Sequence, residues 1–348
     1  MRSAARMVVA SLLALLACNK PKTDDRACGM SLAHSWFAGG SSGYGTHASG
    51  RALDELAAMG MRGVTIGTFA FMDGFHDRGV RPQDLPGTET LESARAVARQ
   101  AHERGLTVML KPQIYLLNGE WCGDIAPASG WPTWFASYRE FILANARMAA
   151  EADIEVLIVG VELKTSTKQA PEEWRATIAE VRKIYGGTVV YAANWDEVEQ
   201  VSFWPLVDAI GISLYAALET SNWLLRYETV AAKADKPIII TETGLMNRVG
   251  ARDIPYVWPE WVTGEDPSYA GDKEQADGYR AIIDTFGRSP RVRRIYWWKW
   301  FTDDTTLNEG RLGFSPRGRF AESVLRESCL SAARPGHPSS RTSPAAAR

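Results

Sequence analysis

Short apolar runs alternate with amphipathic stretches along the chain from residue 28 to about residue 330. The apolar runs have strand length and carry few polar residues, the signature of strands covered on both faces. They fall at Gly29–Ala33, Gly63–Thr68, Thr107–Pro112, Val156–Val161, Thr188–Ala193, Ala209–Leu214, Pro237–Thr241 and Arg294–Trp298. Helical periodicity lies between them, at Ser49–Met59, Thr90–Arg104, Pro132–Ala152, Pro171–Tyr185, Val198–Val207, Asn222–Ala234 and Lys273–Phe286, with a last stretch at about Arg317–Glu327. Start signals include a proline in the first turn at Gln169-Ala170-Pro171, and several helices stop at a glycine: Gly60, Gly105, Gly186 and Gly287. Strict strand–helix alternation of this length predicts an α/β fold, a single-domain (β/α)8 TIM barrel, over an open doubly wound sheet. The glycine-rich stretch Gly39–Gly45 lacks dinucleotide-fingerprint spacing and reads as a flexible loop over the barrel mouth.

In such a barrel the chemistry sits at the C-terminal ends of the strands. Strand 1 ends near His34 and Trp36, and strand 3 in Lys111-Pro112-Gln113. Strands 4 and 7 each end in a glutamate, Glu162 and Glu242. Strand 5 leads to Asn194 and Trp195, strand 6 to Tyr215, and strand 8 to Tyr296-Trp297-Trp298-Lys299-Trp300. A carboxylate after three consecutive isoleucines has no solvent-face rationale. Alternation predicts that Ile238, Ile240 and Glu242 share the inward face of strand 7, and that Ile158, Gly160 and Glu162 share that of strand 4. Strands 4 and 7 lie across the mouth from each other, so the two carboxyls face one another, and mutual repulsion raises the pKa of one. That is the pairing glycoside hydrolysis uses: one carboxyl protonates the leaving oxygen and the other attacks the anomeric carbon. Two other readings start from the same residues. Glu162 could be an ordinary ion-pair partner of Lys164 or Lys111, and Lys111 could be a Schiff-base lysine. Against the latter, the chain lacks the phosphate-binding glycine loops that such barrels often carry after strands 7 and 8.

Composition narrows the picture further. The chain has 348 residues, is 45% hydrophobic and 23% charged, and carries a formal net charge of −2, which does not point to nucleic acid. Its 13 tryptophans exceed what a core needs and suit flat platforms for sugar rings; Trp121, Trp131 and Trp134 divide between packing and subsite roles. The five histidines are scattered and Cys122 has no Cys or His at zinc spacing, so neither a metal nor an organic cofactor is expected. Cys28 and Cys329 flank the first strand and the last helix, which are neighbours in a closed barrel, so a bridge between them is expected in an oxidising compartment.

Arg2 and Arg6 precede an apolar stretch from Met7 to Leu16, too short to span a bilayer. Leu15-Leu16-Ala17-Cys18 then resembles the lipobox of bacterial lipoproteins, with a plain secretory signal cut near Ala17 as the alternative. The resulting expectation is a signal peptide over 1–17, lipidation at Cys18, a tether over 18–27, the barrel over 28–330 and a disordered tail over 331–348. The protein would be exported and lipid-anchored to a bacterial membrane, periplasmic or at the cell surface, as a monomer.

The motifs Gly160-Val161-Glu162-Leu163, Leu110-Lys111-Pro112, Thr241-Glu242-Thr243-Gly244 and Tyr296–Trp300 are similar to those of glycoside hydrolase family 113, the β-1,4-mannanases of the retaining (β/α)8 glycosidase clan. The likeness spans roughly residues 29–327. It implies Glu162 as acid/base, Glu242 as nucleophile, Tyr215 as the nucleophile's hydrogen-bond partner and Trp298 as the floor of the −1 subsite, with Trp36, Lys111 and Asn194 as further substrate contacts. Where many clan members carry Asn before the strand-4 glutamate and Arg after strand 2, this chain has Val161 and Thr68. The implied substrate is a polysaccharide or oligosaccharide, β-1,4-mannan or glucomannan. Another β-linked polymer, or a non-catalytic glycan-binding surface lipoprotein, are the alternatives. Leu245–Gly271, with Tyr256, Trp258, Trp261 and Tyr269 among three prolines, is expected to wall the cleft.

Overall fold

The computed structural model describes residues 27–34, 42–82, 87–217, 222–262, 266–303 and 312–332. Eight parallel strands close in chain order into a barrel: β1 (Ala27–Ala33), β2 (Gly63–Met72), β3 (Thr107–Leu116), β4 (Val156–Val161), β5 (Thr188–Asn194), β6 (Ala209–Leu214), β7 (Ile238–Thr243) and β8 (Val292–Phe301). Around it lie α1 (His47–Ala58), α2 (Leu91–His102), α3 (Trp131–Glu151), α4 (Lys164–Gln169), α5 (Pro171–Arg182), α6 (Trp223–Ala234), α7 (Tyr269–Phe286) and α8 (Phe320–Ala332). All eight strands fall where the apolar runs placed them, with β2, β3 and β8 continuing past their expected ends.

Two helix expectations change. Val198–Val207 is not a helix; only Trp204–Leu206 forms a single 3-10 turn. Pro205 removes a backbone donor there, and Trp204 and Phe203 are buried as packing residues, so local composition mimicked an amphipathic stretch. The short α4, directly after Glu162, carried no periodic signal.

Two layers of apolar side chains hold the barrel. The larger lies between strands and helices and includes Leu157, Val159, Ile238 and Ile240 together with Trp134, Trp174 and Tyr279 from the helices. The smaller fills the barrel's interior: Met109, Val156, Ile158, Val161, Val190, Ala192, Ala209, Ile239 and Tyr296. Tyr296 reaches this floor because Gly29 leaves it room; a Cβ there would sit 2.2 Å from the ring. At the edge of the barrel Cys28 and Cys329 form a disulfide, as their positions led us to expect.

This layering corrects the alternation expected in strands 4 and 7. Ile238 and Ile240 face the helices, and Ile239 faces inward. Gly160 faces outward too, since a Cβ on it would strike Trp174 at 2.4 Å. Both strands carry a register shift before their glutamate: Ile158 pairs with Val190 but Val161 with Ala192, and Ile212 pairs with Ile240 but Ser213 with Glu242. The extra residue flips the phase. Glu242 reaches the mouth through its bulge; on β4 the bulge turns Val161 inward, and Glu162 reaches the mouth through its left-handed backbone beyond the strand end.

The expected flexibility of the Gly39–Gly45 loop is also corrected in its described half. Ser42, Gly43 and Tyr44 are buried, the Tyr44 hydroxyl donates to the Leu32 carbonyl at 2.6 Å, and the Tyr44 amide donates to Glu89 at 2.8 Å. Residues 35–41, with Trp36, lie outside the described residues, as do the signal segment, Cys18, most of the tether and 333–348. α8 runs to Ala332, past the expected start of the tail. No described helix is long and apolar enough to cross a membrane.

Candidate active site

Glu242 stands at the end of β7 and is buried. One carboxylate oxygen pairs with the ammonium of Lys111, which points inward from β3 and is only 1% exposed. The other accepts a hydrogen bond from the Tyr215 hydroxyl at 2.6 Å. Burial, then the charge of Glu242, pushes the Tyr215 phenol well above its ordinary value, so it remains a donor. The Lys111 ammonium also lies 5.7 Å from the centre of the Trp298 ring. Lys111, Glu242, Tyr215 and Trp298 thus form one contiguous group contributed by β3, β7, β8 and the loop after β6.

Glu162 follows the last residue of β4 and is set differently. Its backbone is left-handed, with φ 54°, a conformation that non-glycine residues adopt at a cost. Its amide donates to the Ala192 carbonyl at 2.8 Å, and the next amide, of Leu163, donates to the Tyr191 hydroxyl at 3.0 Å. Its carboxylate accepts a hydrogen bond from the Trp121 indole N–H at 3.0 Å, and the Ser213 hydroxyl also favours its charged form. Burial, then the negative charge of Glu242, raises the Glu162 pKa above the usual carboxylate value, against the opposing pull of Lys111 and Trp121. Neither candidate lysine pairs with it: Lys111 is taken by Glu242, and Lys164 binds Asp196 at 2.5 Å.

The remaining sequence candidates are divided. Asn194 ends β5, but its side-chain amide donates to Asp196 at 2.8 Å, within a polar group that also holds Lys164. Trp298 is half-buried, and its indole N–H finds no acceptor among the described residues. A substrate hydroxyl would supply one. The Thr68 hydroxyl is committed to Asn145 on α3 at 2.6 Å, and Val161 packs into the barrel interior, so neither stands in for the polar groups of the wider clan.

The segment after β7 brings one ring to the site, Trp258. Trp258 packs edge-on to Trp298 with centroids 6.2 Å apart, lies 6.2 Å from Tyr215 and 5.0 Å from Phe314. Trp261 is 65% exposed. Of the three tryptophans left open by the sequence, Trp134 is fully buried as packing, Trp131 donates to Gln169, and Trp121 joins the site.

Glu197 escaped the sequence reading altogether. It is fully buried and accepts hydrogen bonds from Tyr191 at 2.7 Å, Thr167 at 2.8 Å and the Asn194 amide at 2.9 Å. Burial pushes its carboxyl up to about 7 despite those bonds. In the run Asn194-Trp195-Asp196-Glu197 it looks like one more surface acid; its position just beyond a strand end was the available signal.

Two carboxyls in unlike settings, an aromatic floor and an ammonium converge at the C-terminal end of one barrel. Among the described residues no cluster of three or more His, Cys, Asp or Glu could hold a metal ion. The chain matches the model of Glycoside Hydrolase Family 113 over residues 33–312. A GH113 β-1,4-mannanase structure superposes with a TM-score of 0.77 at 25% identity, covering 87% of this chain and 98% of that one. The GH113 β-mannanase AaManA from Alicyclobacillus acidocaldarius, in complex with ManMIm, gives 0.76 at 26% identity, with coverage of 87% and 97%. A GH5_18 protein from Streptomyces cattleya, at 16% identity and a TM-score of 0.55 over 90% of this chain and 82% of that one, shares the fold. No curated protein matches the sequence. With the family model spanning most of the barrel and its site, the chain belongs to glycoside hydrolase family 113 and is a glycoside hydrolase.

Proposed function

We propose that this enzyme cleaves β-1,4-mannan or glucomannan with retention of configuration, Glu242 acting as nucleophile and Glu162 as acid/base. The observation that carries this reading is the contrast between the two carboxyls. An ammonium and a phenol O–H meet the charge of Glu242, whereas Glu162 is pushed toward its protonated form. In the first step the glycosidic C1–O bond breaks as a Glu242 oxygen bonds to C1 and the Glu162 proton passes to the leaving oxygen. In the second, Glu162 takes a proton from water, the water oxygen bonds to C1, and the glycosyl ester on Glu242 is released. Trp298 floors the reacting sugar, its N–H and Lys111 offer donors to hydroxyls, and Trp36 adds a further contact.

The mannan assignment rests on the β-1,4-mannanases among the family's solved structures. Purified enzyme assayed on mannan, glucomannan, xylan and β-glucan should release reducing ends fastest from the mannans. Proton NMR of the first product should show the β-anomer. Preference for xylan or glucan would overturn the substrate, and a first-formed α-anomer would overturn the mechanism.

For location we propose export and anchoring through a lipidated Cys18, supported by the charged and apolar start of the chain and by the Cys28–Cys329 disulfide. A tether of about nine extended residues, at roughly 3.3 Å each, would keep the barrel within about 30 Å of the lipid. Cys18→Ser should release the protein from membranes; unchanged membrane association would contradict the anchor.

A further inference from the structure

We propose that Glu197, acting through Tyr191, is a positioning residue that fixes the turn on which Glu162 is carried; this rests on the acid/base reading of Glu162. The Glu162 side chain can be aimed only as accurately as its left-handed backbone is held, and a conformation of that kind persists only where its surroundings over-determine it. Its flanking peptides are held by Glu162 N–H to the Ala192 carbonyl and Leu163 N–H to the Tyr191 hydroxyl, with the Cys122 thiol donating to the Val161 carbonyl at 3.7 Å.

The second bond is directional because of Glu197. Tyr191 donates its proton to Glu197 at 2.7 Å, which leaves the phenol oxygen's lone pairs for the Leu163 amide 3.0 Å away. The other groups at Glu197, the Thr167 hydroxyl and the Asn194 amide, also donate. A site lined by donors is matched by an acceptor-only carboxylate, and a glutamine would have to turn an NH2 toward one of them. Through these bonds one buried carboxylate ties the end of β5, the helix α4 and the Glu162–Leu163 peptide together. The Trp174 indole donates to Ser166 at 3.0 Å, anchoring α4 from its other side. Nothing places Glu197 against substrate; its effect passes through Tyr191 and the backbone.

A misplaced acid has a specific kinetic signature. Cleavage of a sugar–sugar bond needs the proton, while expulsion of a strongly acidic phenol does not. The test compares kcat/KM for mannohexaose with that for 2,4-dinitrophenyl β-mannobioside in wild type, Tyr191→Phe, Glu197→Gln and Glu162→Gln. Tyr191→Phe and Glu197→Gln should slow mannohexaose by about 10²-fold, the order expected of an ångström-scale displacement. For the aryl glycoside kcat/KM should stay within a few fold, while kcat and KM fall together, because the second step, which needs Glu162 as base, becomes limiting. Glu162→Gln should show the same selectivity more strongly. If Glu162→Gln slows both substrates alike, the acid/base reading fails and the proposal with it. If Glu162→Gln is selective but both other variants slow the two substrates equally, Glu197 and Tyr191 are merely structural and the proposal is overturned. Tyr191→Phe removes a single oxygen, so it decides the matter even if Glu197→Gln does not fold.

Discussion

Glu242 sits between an ammonium and a phenol O–H, whereas Glu162 receives an indole N–H and stands in the field of the other carboxylate. Their backbones differ as well. Glu242 remains within a strand after a bulge, while Glu162 leaves its strand in a left-handed turn. The comparison teaches that one barrel end can set a single residue type in two unlike electrostatic environments, a cation and a phenol beside one copy and burial with a neighbouring carboxylate acting on the other. A charge met by a cation suits attack on carbon; a carboxyl pushed toward its protonated form suits carrying a proton.

The comparison breaks most readily by removing the carboxylates in turn. On the proposed roles, Glu242→Gln should abolish hydrolysis of mannan and aryl mannoside alike, because it removes the group proposed as nucleophile. Glu162→Gln should cost about 10²–10⁴-fold on mannan, the usual worth of a general acid, and much less on an activated aryl glycoside. Steady-state kinetics on both substrates checks this, and equal losses for the two variants on both would erase the distinction.

Next comes Lys111. Lys111→Met leaves Glu242 buried without its counter-ion, and breaking such a pair costs about 3–5 kcal/mol of stability. Activity should fall by about 10²–10³-fold, as for loss of one electrostatic donor in a closed site. Urea unfolding of Lys111→Met beside Lys111→Met/Glu242→Gln tests the pairing: the double variant should recover much of the lost stability. An additive double variant would show that the two groups do not interact.

A smaller effect should come from Trp121→Phe. The Trp121 N–H favours the charged form of Glu162, so its loss raises the Glu162 pKa further. The alkaline limb of kcat/KM, along which the acid loses its proton, should therefore move to higher pH. A shift to lower pH would contradict the assignment of that limb to Glu162.

The smallest expected effect is in the loop after β7. Trp261→Ala should raise KM for long oligosaccharides more than for short ones, since an exposed ring serves outer subsites. Trp258→Ala should act on all chain lengths, because that ring supports Trp298 and Tyr215. Identical profiles for the two variants would remove the distinction between packing and subsite.

Much of this site could be read from the sequence because a parallel barrel makes strand ends conspicuous. Glu162, Glu242, Lys111, Tyr215 and Trp298 each follow or interrupt an apolar run, and three of them, Lys111, Tyr215 and Trp298, gather at the Glu242 carboxylate. The bulges could not be read. An inserted residue leaves composition unchanged while reversing the faces, so Ile238 and Ile240 were expected inward and lie outward. Asn194 was expected toward substrate, but a neighbour two positions on captures its amide. Trp121 and Glu197 depend on contacts between residues far apart in the chain or hidden in a polar run, and no periodicity marks them. The false helix at Val198–Val207 arose because packing residues of a loop share the spacing of a helix face.

Trapping the intermediate tests the central claim most directly. A 2-deoxy-2-fluoro mannoside with a dinitrophenolate leaving group forms the glycosyl-enzyme readily and loses it slowly, because fluorine at C2 destabilises the oxocarbenium-like transition state of both steps. Peptide mass spectrometry after such treatment should find the fluorosugar esterified to Glu242. A label on Glu162, or rapid turnover to an inverted product without a label, would contradict the account.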